Sequence, residues 1–454
     1  MFAYAWRRHV SRVVCPCTSC NGDDPMNTKD PKPSIEGGQA KTRRAGPVLA
    51  LLVCFLVIVL DGFNTTSISF VVPKLAHEWH LAPALFTTVF VATNVGAAIG
   101  FMISGPLAQR FGHRFIGVAS VVLFAGSTLA TAYASNIASL SVMRLAAAIG
   151  LGAALPIAIT AAAGIIGAKH KVAASLLVTT GMSVGAVTGG VAGGPLMSHF
   201  GWQSIFVTGG VLPFLLVLAF FRILPARSPV AADAAAVRVS NPLKALFENG
   251  LGAYTCLLWL FSFLIFMDVY ALLFWVPTLL VDFGFSADHA SVGMAAFSIG
   301  GLSGNVLMTL AVTMMTLAGR LRVKSALVVG LLLVIISIGS LSQVAVTPAI
   351  VLLFIGVIGA GLVNGIMGQT ALAVAFYPPE IRATGVGWGH AIGRVGSFVG
   401  PAIGGGLLSL GWPVRDILLT AVVPAGAAIL ALGALSLVGR RAVQKFPDSA
   451  VAEN

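Results

Sequence analysis

LDGFNTT, residues 60–66, places one acidic side chain, Asp61, in the middle of a long apolar segment. The flanking residues, 48–60 and 62–73, carry no charged side chain. A carboxylate at the centre of a membrane helix costs about 2.5–3.5 kcal/mol, so it needs a polar cavity or a partner. The stretch therefore predicts a spanning helix whose Asp61 faces a water-filled path and binds protons or a solute. The alternative is an Asp near the outer interface that reaches water.

The composition is that of a membrane protein with many spanning helices. Of the 454 residues, 57% are hydrophobic and only 9% are charged, whereas soluble domains carry about 25% charged residues. Cys15, Cys17 and Cys20 form a C-x-C-x-x-C pattern, but no second ligand cluster accompanies it at zinc-finger spacing. With no nucleophile–base constellation and no cofactor loop visible, we expect no enzyme activity, no cofactor and no metal.

Twelve apolar segments are long enough to cross a membrane, which takes about 20 residues of helix. They lie near residues 47–71, 84–107, 115–134, 138–166, 172–195, 203–224, 252–280, 290–316, 325–343, 348–376, 384–409 and 416–438. The sequence therefore predicts an all-α membrane protein with twelve transmembrane helices in two pseudo-symmetric six-helix bundles. The predicted parts are a disordered cytoplasmic tail (1–45), the first bundle (46–224), a cytoplasmic linker (225–250), the second bundle (251–439) and a cytoplasmic C-terminal tail (440–454).

Most of the 27 lysines and arginines lie on one side of this arrangement. They fall in the N-terminal tail, the linker, the C-terminal tail and the loops after the second, fourth, eighth and tenth segments. Only Lys74 and Arg415 fall in loops on the other side. Because cytoplasmic loops carry the excess of Lys and Arg, both termini are expected in the cytoplasm, with the chain in an inner or plasma membrane. This distribution also explains the net charge of +12 without a nucleic-acid partner.

The two predicted halves repeat several features. Asp61 lies in the first segment and Asp268 in the seventh, its counterpart, and each is followed by an apolar run that ends in Pro73 or Pro277. Repeated halves around a central site are typical of secondary transporters.

Glycines recur at every fourth position in two further counterparts, the fifth and eleventh segments, and such stripes let helix backbones approach closely. They are Gly181, Gly185, Gly189, Gly193, Gly396, Gly400 and Gly404. We interpret them as packing surfaces that slide or rock, the alternative being that they pack static helices.

The loop between the second and third segments, GPLAQRFGHR at residues 105–114, resembles the signature loop of the major facilitator superfamily. The resemblance covers nearly all of residues 45–440. It implies a gating loop in which Gly105 permits close helix approach and Gly112 permits a tight turn.

Arg110 and Arg114 of the same loop are expected to stay in the cytoplasm. The family usually has an Asp where this chain has Gln109. That carboxylate helps lock the halves through an ion pair, so the usual charge network is not expected here.

Three stretches are similar to the aromatic acid/proton symporters of that superfamily: DGFN at 61–64, WVPTLL at 275–280 and YPPEIRATGVGW at 377–388. In that family the first motif usually ends in a second Asp, where this chain has Asn64. Asp268 also differs from the family pattern, in which a neutral polar residue is expected at that position. Its carboxylate can replace the negative charge that is missing at Asn64. The resemblance implies uptake of a small organic carboxylate with protons.

Four charged side chains lie inside predicted helices: Asp61, Arg144, Asp268 and Arg394. Arg suits carboxylate binding because its planar fork donates two parallel hydrogen bonds. Similar transporters place an Arg in the same helices, so Arg394 and Arg144 are expected to bind the substrate, with structural ion pairs as the alternative. Asp61 is the expected proton acceptor. Asp268 is the second candidate, with a permanent ion pair as the alternative.

His390 is the only histidine inside a predicted helix, and it is a candidate proton relay, the alternative being a hydrogen-bonded packing role. Recognition of a ring needs aromatic or apolar walls beside a few polar groups. The remaining expected substrate-binding residues supply such groups: Asn64, Thr65, Tyr270, Trp275, Asn364, Gln369 and Trp388. Asn94 and Asn305 are interpreted only as links between neighbouring helices.

These observations together predict a secondary active transporter that takes up an aromatic acid, such as benzoate or a hydroxybenzoate, with protons by alternating access. Its expected partners are the organic acid, protons and the lipid bilayer, and it is expected to act as a monomer. The first alternative is a proton-driven exporter or an aliphatic-acid carrier of the same fold. The second is a non-transporting membrane sensor, although the short C-terminal tail offers no recognisable signalling domain.

Overall fold

The first long helix, α1, runs from Pro47 to Glu78 and contains the stretch around Asp61. Pro47 occupies its first turn, where the missing N–H costs no helical hydrogen bond. The computed structural model describes residues 46–166, 171–224, 242–248, 250–287, 290–317, 323–343, 347–377 and 379–445. Within these ranges every regular element is helical.

Eleven further long helices follow α1 in the described ranges. They are α2 Thr87–Phe111, α3 His113–Thr131, α4 Ile137–Ile166, α5 Lys171–Phe200, α6 Gln203–Ile223, α7 Gly252–Asp282, α8 Ser291–Leu317, α9 Val323–Gln343, α10 Pro348–Phe376, α11 Pro379–Ser409, and α12, which has two parts, Val414–Thr420 and Val422–Lys445. A short 3-10 helix, Pro83–Phe86, precedes α2, and a one-turn helix, Pro242–Ala245, precedes α7. Each of the twelve predicted segments coincides with a helix, so the predicted fold is confirmed.

Ten of the described helices are long and apolar enough to cross a membrane. Among the described residues, α8 contributes a shorter apolar stretch, Ser291–Leu307, and the glycine-rich α5 is not among the ten. Both nevertheless pack lengthwise against spanning helices, α5 against α1 and α8 against α10.

The predicted glycine stripes pack helices within each half. Gly185 on α5 lies against the backbone oxygen of Val59 on α1, and Gly400 on α11 lies against that of Met267 on α7. A Cβ at either glycine would overlap the backbone that it faces. The other stripe glycines face the same two helices: Gly181, Gly189, Gly193, Gly396 and Gly404. The stripes are therefore packing surfaces, and that these surfaces slide or rock stays a prediction.

The two halves approach each other closely at the end of the bundle where α5 ends and α8 begins. There Gly190 on α5 lies against the backbone and side chain of Ala295 on α8. At the same end, Gly405 on α11 lies against the side chain of Thr87, the first residue of α2. We call this end of the molecule the closed end.

The predicted gating loop forms the turn between α2 and α3. Gly112 ends α2 with a φ of 92°, a conformation that L residues rarely adopt, so the predicted tight turn is confirmed. Nothing lies within 4 Å of the position a Cβ would take at Gly105, so the predicted close approach there is wrong. Arg114 Nε donates to the backbone oxygen of Leu224 at 2.8 Å, which ties α3 to the end of α6. Arg110 lies over the ring of the next residue, 5.3 Å from its centroid.

Some predictions concern parts of the chain outside the described residues. These parts are the N-terminal tail with its three cysteines, most of the linker, and the last nine residues. The side chain of Gln109 also lies outside the described set.

Candidate functional site: a cavity between the two halves

A cavity lies between the two halves, near the middle of the helices that line it. The empty space there, including the part that is open to solvent, is about 410 Å³. Helices α1, α2, α4 and α5 of the first half and α7 and α11 of the second half contribute its walls. The lining residues are Asp61, Thr65, Thr93, Asn94, Ala97, Ala148, Leu151, Gly152, Leu155, Met182, Tyr270, Phe274 and Arg394. Four predicted site residues, Asp61, Thr65, Tyr270 and Arg394, therefore meet here.

Asp61 supplies the carboxylate of the cavity. Its side chain is only 3% exposed, and one turn further along α1 Thr65 Oγ1 donates to its Oδ1 at 3.2 Å. The adjacent Gly62 lies against the backbone of Met182 on α5, so this turn of α1 is held directly on its neighbour. Asp61 is thus fixed at the cavity wall, where it can exchange a proton with whatever fills the cavity.

Arg394 supplies the positive charge on the opposite wall. Its Nη1 donates to the hydroxyl oxygen of Tyr270 at 3.1 Å, and its Cζ lies 5.9 Å from the centroid of that ring. The same Cζ lies 5.8 Å from the ring centroid of Phe101 on α2, so Arg394 contacts both halves. Arg394 and Asp61 line the same cavity but form no ion pair with each other. A guanidinium has five N–H donors, and this geometry leaves donors for an anion.

Three aromatic side chains close the cavity on the side of the closed end. Phe90 on α2 contacts Phe274 and Trp275 on α7, with ring centroids 4.8 and 5.0 Å away. Trp275 Nε1 donates to the backbone oxygen of Pro401 on α11 at 3.0 Å. Trp275 was expected to bind substrate, but it lies in this aromatic layer and does not line the cavity.

Arg144 and Asn64 lie together inside the first half, away from the cavity. Arg144 is completely buried, and its Nη2 donates to the backbone oxygen of Asn64 at 2.8 Å. Its Cζ lies 5.8 Å from the ring centroid of Phe206 on α6. Asn64 Nδ2 donates to the backbone oxygen of Gly209 on the same helix at 2.7 Å. Both side chains thus join α1 to its neighbours, which revises the expectation that they contact substrate.

Asp268 also lies away from the cavity. It is 3% exposed and stands two residues before Tyr270, which is about 200° around a helix. Asp268 precedes Pro277 by the same number of residues as Asn64 precedes Pro73, so Asn64 is its counterpart by this register. Both side chains are buried and neither lines the cavity.

His390 and Gln369 lie between α10 and α11, near the cavity but not on its wall. His390 Nε2 and Thr370 Oγ1 are 2.9 Å apart and share a hydrogen bond, and Arg394 lies one turn further along α11. Gln369 is fully buried, and its amide nitrogen packs against the backbone of Gly389. His390 therefore has a hydrogen-bonded environment, which fits the packing role that was the alternative to a proton relay.

The last two predicted substrate-binding residues, Asn364 and Trp388, do not line the cavity. Asn364 on α10 has a buried Oδ1 that accepts no hydrogen bond from the described residues. Trp388 on α11 is 39% exposed and stacks on Trp259 of α7, with ring centroids 5.8 Å apart.

Thr93, Asn94 and Phe101 on α2 belong to the site although the sequence reading did not assign them to it. Two polar residues in the middle of an apolar segment indicate a polar site inside the membrane, and they could have identified this part of α2. Our interpretation of Asn94 as a link between helices discounted it. The contact of Phe101 with Arg394 depends on how the halves meet, which no local pattern shows.

Comparison with known proteins gives relatives along most of the chain. The 4-hydroxybenzoate transporter PcaK of Pseudomonas putida is 34% identical over 429 residues, covering 86% of this chain and 92% of that protein. The gallate transporter of Pseudomonas putida is 33% identical, covering 85% of this chain and 90% of that protein. The 3-(3-hydroxy-phenyl)propionate transporter of Escherichia coli K12 is 33% identical, covering 88% and 97%.

Solved structures share the fold at much lower sequence identity. A D-xylose-proton symporter superposes with a TM-score of 0.71 at 17% identity, covering 86% of this chain and 97% of that one. The nucleoside transporter NupG gives a TM-score of 0.67 at 16% identity, covering 86% and 98%. The sequence profile of the Major Facilitator Superfamily matches residues 54–375. With a twelve-helix fold in two halves and a cavity between them, the chain belongs to the Major Facilitator Superfamily.

Proposed function

We propose that the protein is a proton-coupled symporter that takes up a small aromatic carboxylate by alternating access. One observation carries the proposal: Asp61 and Arg394 face one cavity from opposite halves and are not paired with each other. An anion and a proton can therefore each find a binding group in the same space. The named substrates of the relatives, which include 4-hydroxybenzoate and gallate, support an aromatic acid.

The substrate's carboxylate binds Arg394, which Tyr270 holds in place through its hydroxyl group. A guanidinium recognises a carboxylate through two parallel hydrogen bonds, so Arg394 sets both the affinity and the orientation. The apolar side of the cavity, which includes Leu151 and Phe274, accepts the ring. Binding sites near the midplane, between two repeated halves, are the general arrangement in secondary transporters.

Asp61 binds the coupling proton, and Thr65 orients its carboxyl group. Without substrate, the positive field of Arg394 favours ionised Asp61 across the cavity. A bound anion cancels that field, so Asp61 takes up a proton more readily when the acid is present. The two ligands thereby favour each other's binding, and such coupling is reciprocal.

The other predicted residues take supporting roles in this proposal. Arg144 positions α1 through the carbonyl of Asn64, one turn from Asp61. His390 lies one turn from Arg394 on α11 and shares a hydrogen bond with Thr370 of α10, which joins these two helices beside the site. Asp268 acts within its own half and not as the coupling carboxylate.

We assign both termini to the cytoplasmic side of an inner or plasma membrane, which the excess of lysines and arginines on that side supports, and we propose that the protein acts as a monomer. The closed end then faces the outside. Because the substrate must enter there, the contact between Gly190 and Ala295 opens in the other half of the cycle.

The test is uptake of labelled 4-hydroxybenzoate into proteoliposomes, with and without an imposed inward proton gradient. Accumulation above the external concentration is expected only with the gradient. An outwardly directed, gradient-driven loss of label would instead show an exporter, and no uptake of any aromatic acid by folded protein would refute the proposed substrate class.

A further inference from the structure

Asn94 is a buried amide on the cavity wall that the proposed transport steps leave unused. It is 2% exposed, and its Nδ2 donates to the backbone oxygen of Phe90 one turn earlier at 3.0 Å. A carbonyl oxygen accepts hydrogen bonds and cannot donate them, so this contact fixes which end of the amide is the nitrogen. No described residue donates to the Oδ1 of Asn94, which is left to the cavity that the residue lines.

The two walls of the cavity differ in hydrogen-bonding character. On the first half, Asp61 and Asn94 present acceptor oxygens. The hydroxyl group of Thr93, beside them, donates its hydrogen bond to the backbone oxygen of Val89 at 2.8 Å. On the second half, Arg394 presents N–H donors and has no acceptor. A ligand with an anionic group at one end and a hydrogen-bond donor at the other therefore fits in one direction only.

Small and apolar side chains line the space between the walls. Ala97 and Ala148 contribute small side chains, and Leu151 adds an apolar one. Gly152 on α4 lies against the backbone oxygen of Ala97 on α2, so these two helices are in direct contact. The position of Asn94, three residues before Ala97 on α2, is fixed by the same contact.

We infer that Asn94 selects acids with a hydroxyl group on the ring, by accepting a hydrogen bond from that hydroxyl while Arg394 binds the carboxylate. The inference rests on the proposed function and narrows its substrate class from aromatic acids in general to hydroxylated ones. Asp61 remains free for the coupling proton, because a neutral amide oxygen holds the hydroxyl. A site that hydrogen-bonds a substrate hydroxyl disfavours an analogue without it, since the buried acceptor is then left unpaired.

The test compares two labelled acids of similar size, 4-hydroxybenzoate and 4-fluorobenzoate, of which only the first can donate from the ring substituent. In proteoliposomes with an inward proton gradient, Asn94→Leu is expected to raise the KM for 4-hydroxybenzoate about tenfold, as for the loss of one hydrogen bond. The KM for 4-fluorobenzoate is expected to fall, because the acceptor that this acid leaves unpaired is no longer present. Asn94→Ala removes the same acceptor without the bulk of leucine, and it gives the same result where Asn94→Leu does not fold.

Thr128→Val is the control, because it removes a buried hydroxyl group of α3, a helix that does not line the cavity, and it should leave the ratio of the two KM values unchanged. Equal effects of Asn94→Ala on both acids would show that the amide only packs, and would overturn the inference while leaving symport intact. Failure of the unmodified protein to take up either acid would overturn both the inference and the proposed function.

Discussion

Tyr270 is the residue on which the orientation of Arg394 depends. Its hydroxyl oxygen accepts from Arg394 Nη1, and its ring lies beside the guanidinium. Arg394 has a second ring neighbour, Phe101, on the other half. The guanidinium is therefore held by one hydrogen bond and two aromatic faces, and no carboxylate among the described residues lies within 4 Å of it as an ion-pair partner.

Tyr270→Phe removes the hydroxyl group and keeps the ring. We expect the KM for 4-hydroxybenzoate to rise about three- to tenfold, the range for loss of one hydrogen bond, because Arg394 becomes less well oriented. Vmax should change little. Tyr133→Phe is the matched control, since Tyr133 is 83% exposed. Initial rates over a range of substrate concentrations check this prediction, and an unchanged KM would contradict it.

Residues of the site differ in how far the sequence could identify them. Charges in apolar segments indicated Asp61 and Arg394, because an intramembrane charge needs a polar environment. The same argument selected Arg144 and Asp268, which lie inside their own halves. What separates the two pairs is the rotation of each helix about its axis, and that depends on packing against neighbours. Asn64 and Asp268 stand the same number of residues before Pro73 and Pro277. This spacing could have indicated that Asp268 corresponds to Asn64 and not to Asp61.

At the scale of helices, glycine contacts determine how closely α5 packs on α1 and α11 on α7. These pairings could be predicted in part, because glycine at every fourth position puts a smooth stripe on one helix face. The partner of each stripe could not, since a stripe does not specify which helix it faces. The contacts at Gly185 and Gly400 leave no space for a side chain. That these surfaces slide or rock stays a prediction.

Gly185→Ala and Gly400→Ala should each destabilise the protein by about 1–3 kcal/mol, the usual cost of overpacking, because the new Cβ meets a backbone oxygen. Gly433→Ala is the control, since Gly433 on α12 has nothing within 4 Å of the Cβ position. Thermal unfolding in detergent would measure the effect. Equal unfolding midpoints for Gly185→Ala and Gly433→Ala would contradict the packing described here.

At the scale of the whole molecule, the contact between α5 and α8 closes one end of the space between the halves. Gly190 lies against Ala295 there, and the layer formed by Phe90, Phe274 and Trp275 separates this end from the cavity. A transporter that alternates between two states must break this contact and form it again.

Gly190→Val should hold the closed end apart, because the added side chain occupies the space of Ala295. We expect Vmax for uptake to fall while the dissociation constant for substrate changes little, since the cavity residues are untouched. Gly406→Val is the control, because Gly406 lies near the same end with nothing within 4 Å of its Cβ position. Uptake kinetics and equilibrium binding check this prediction, and equal Vmax for both variants would contradict it.

Asp61→Asn tests most directly the claim that Asp61 couples proton entry to the movement of the acid. Proteoliposomes with this variant would be assayed for gradient-driven accumulation of labelled 4-hydroxybenzoate and for counterflow exchange without a gradient. We predict that accumulation is lost and exchange persists, because the asparagine cannot release a proton while Arg394 still binds the acid. Full gradient-driven accumulation by Asp61→Asn would contradict the account.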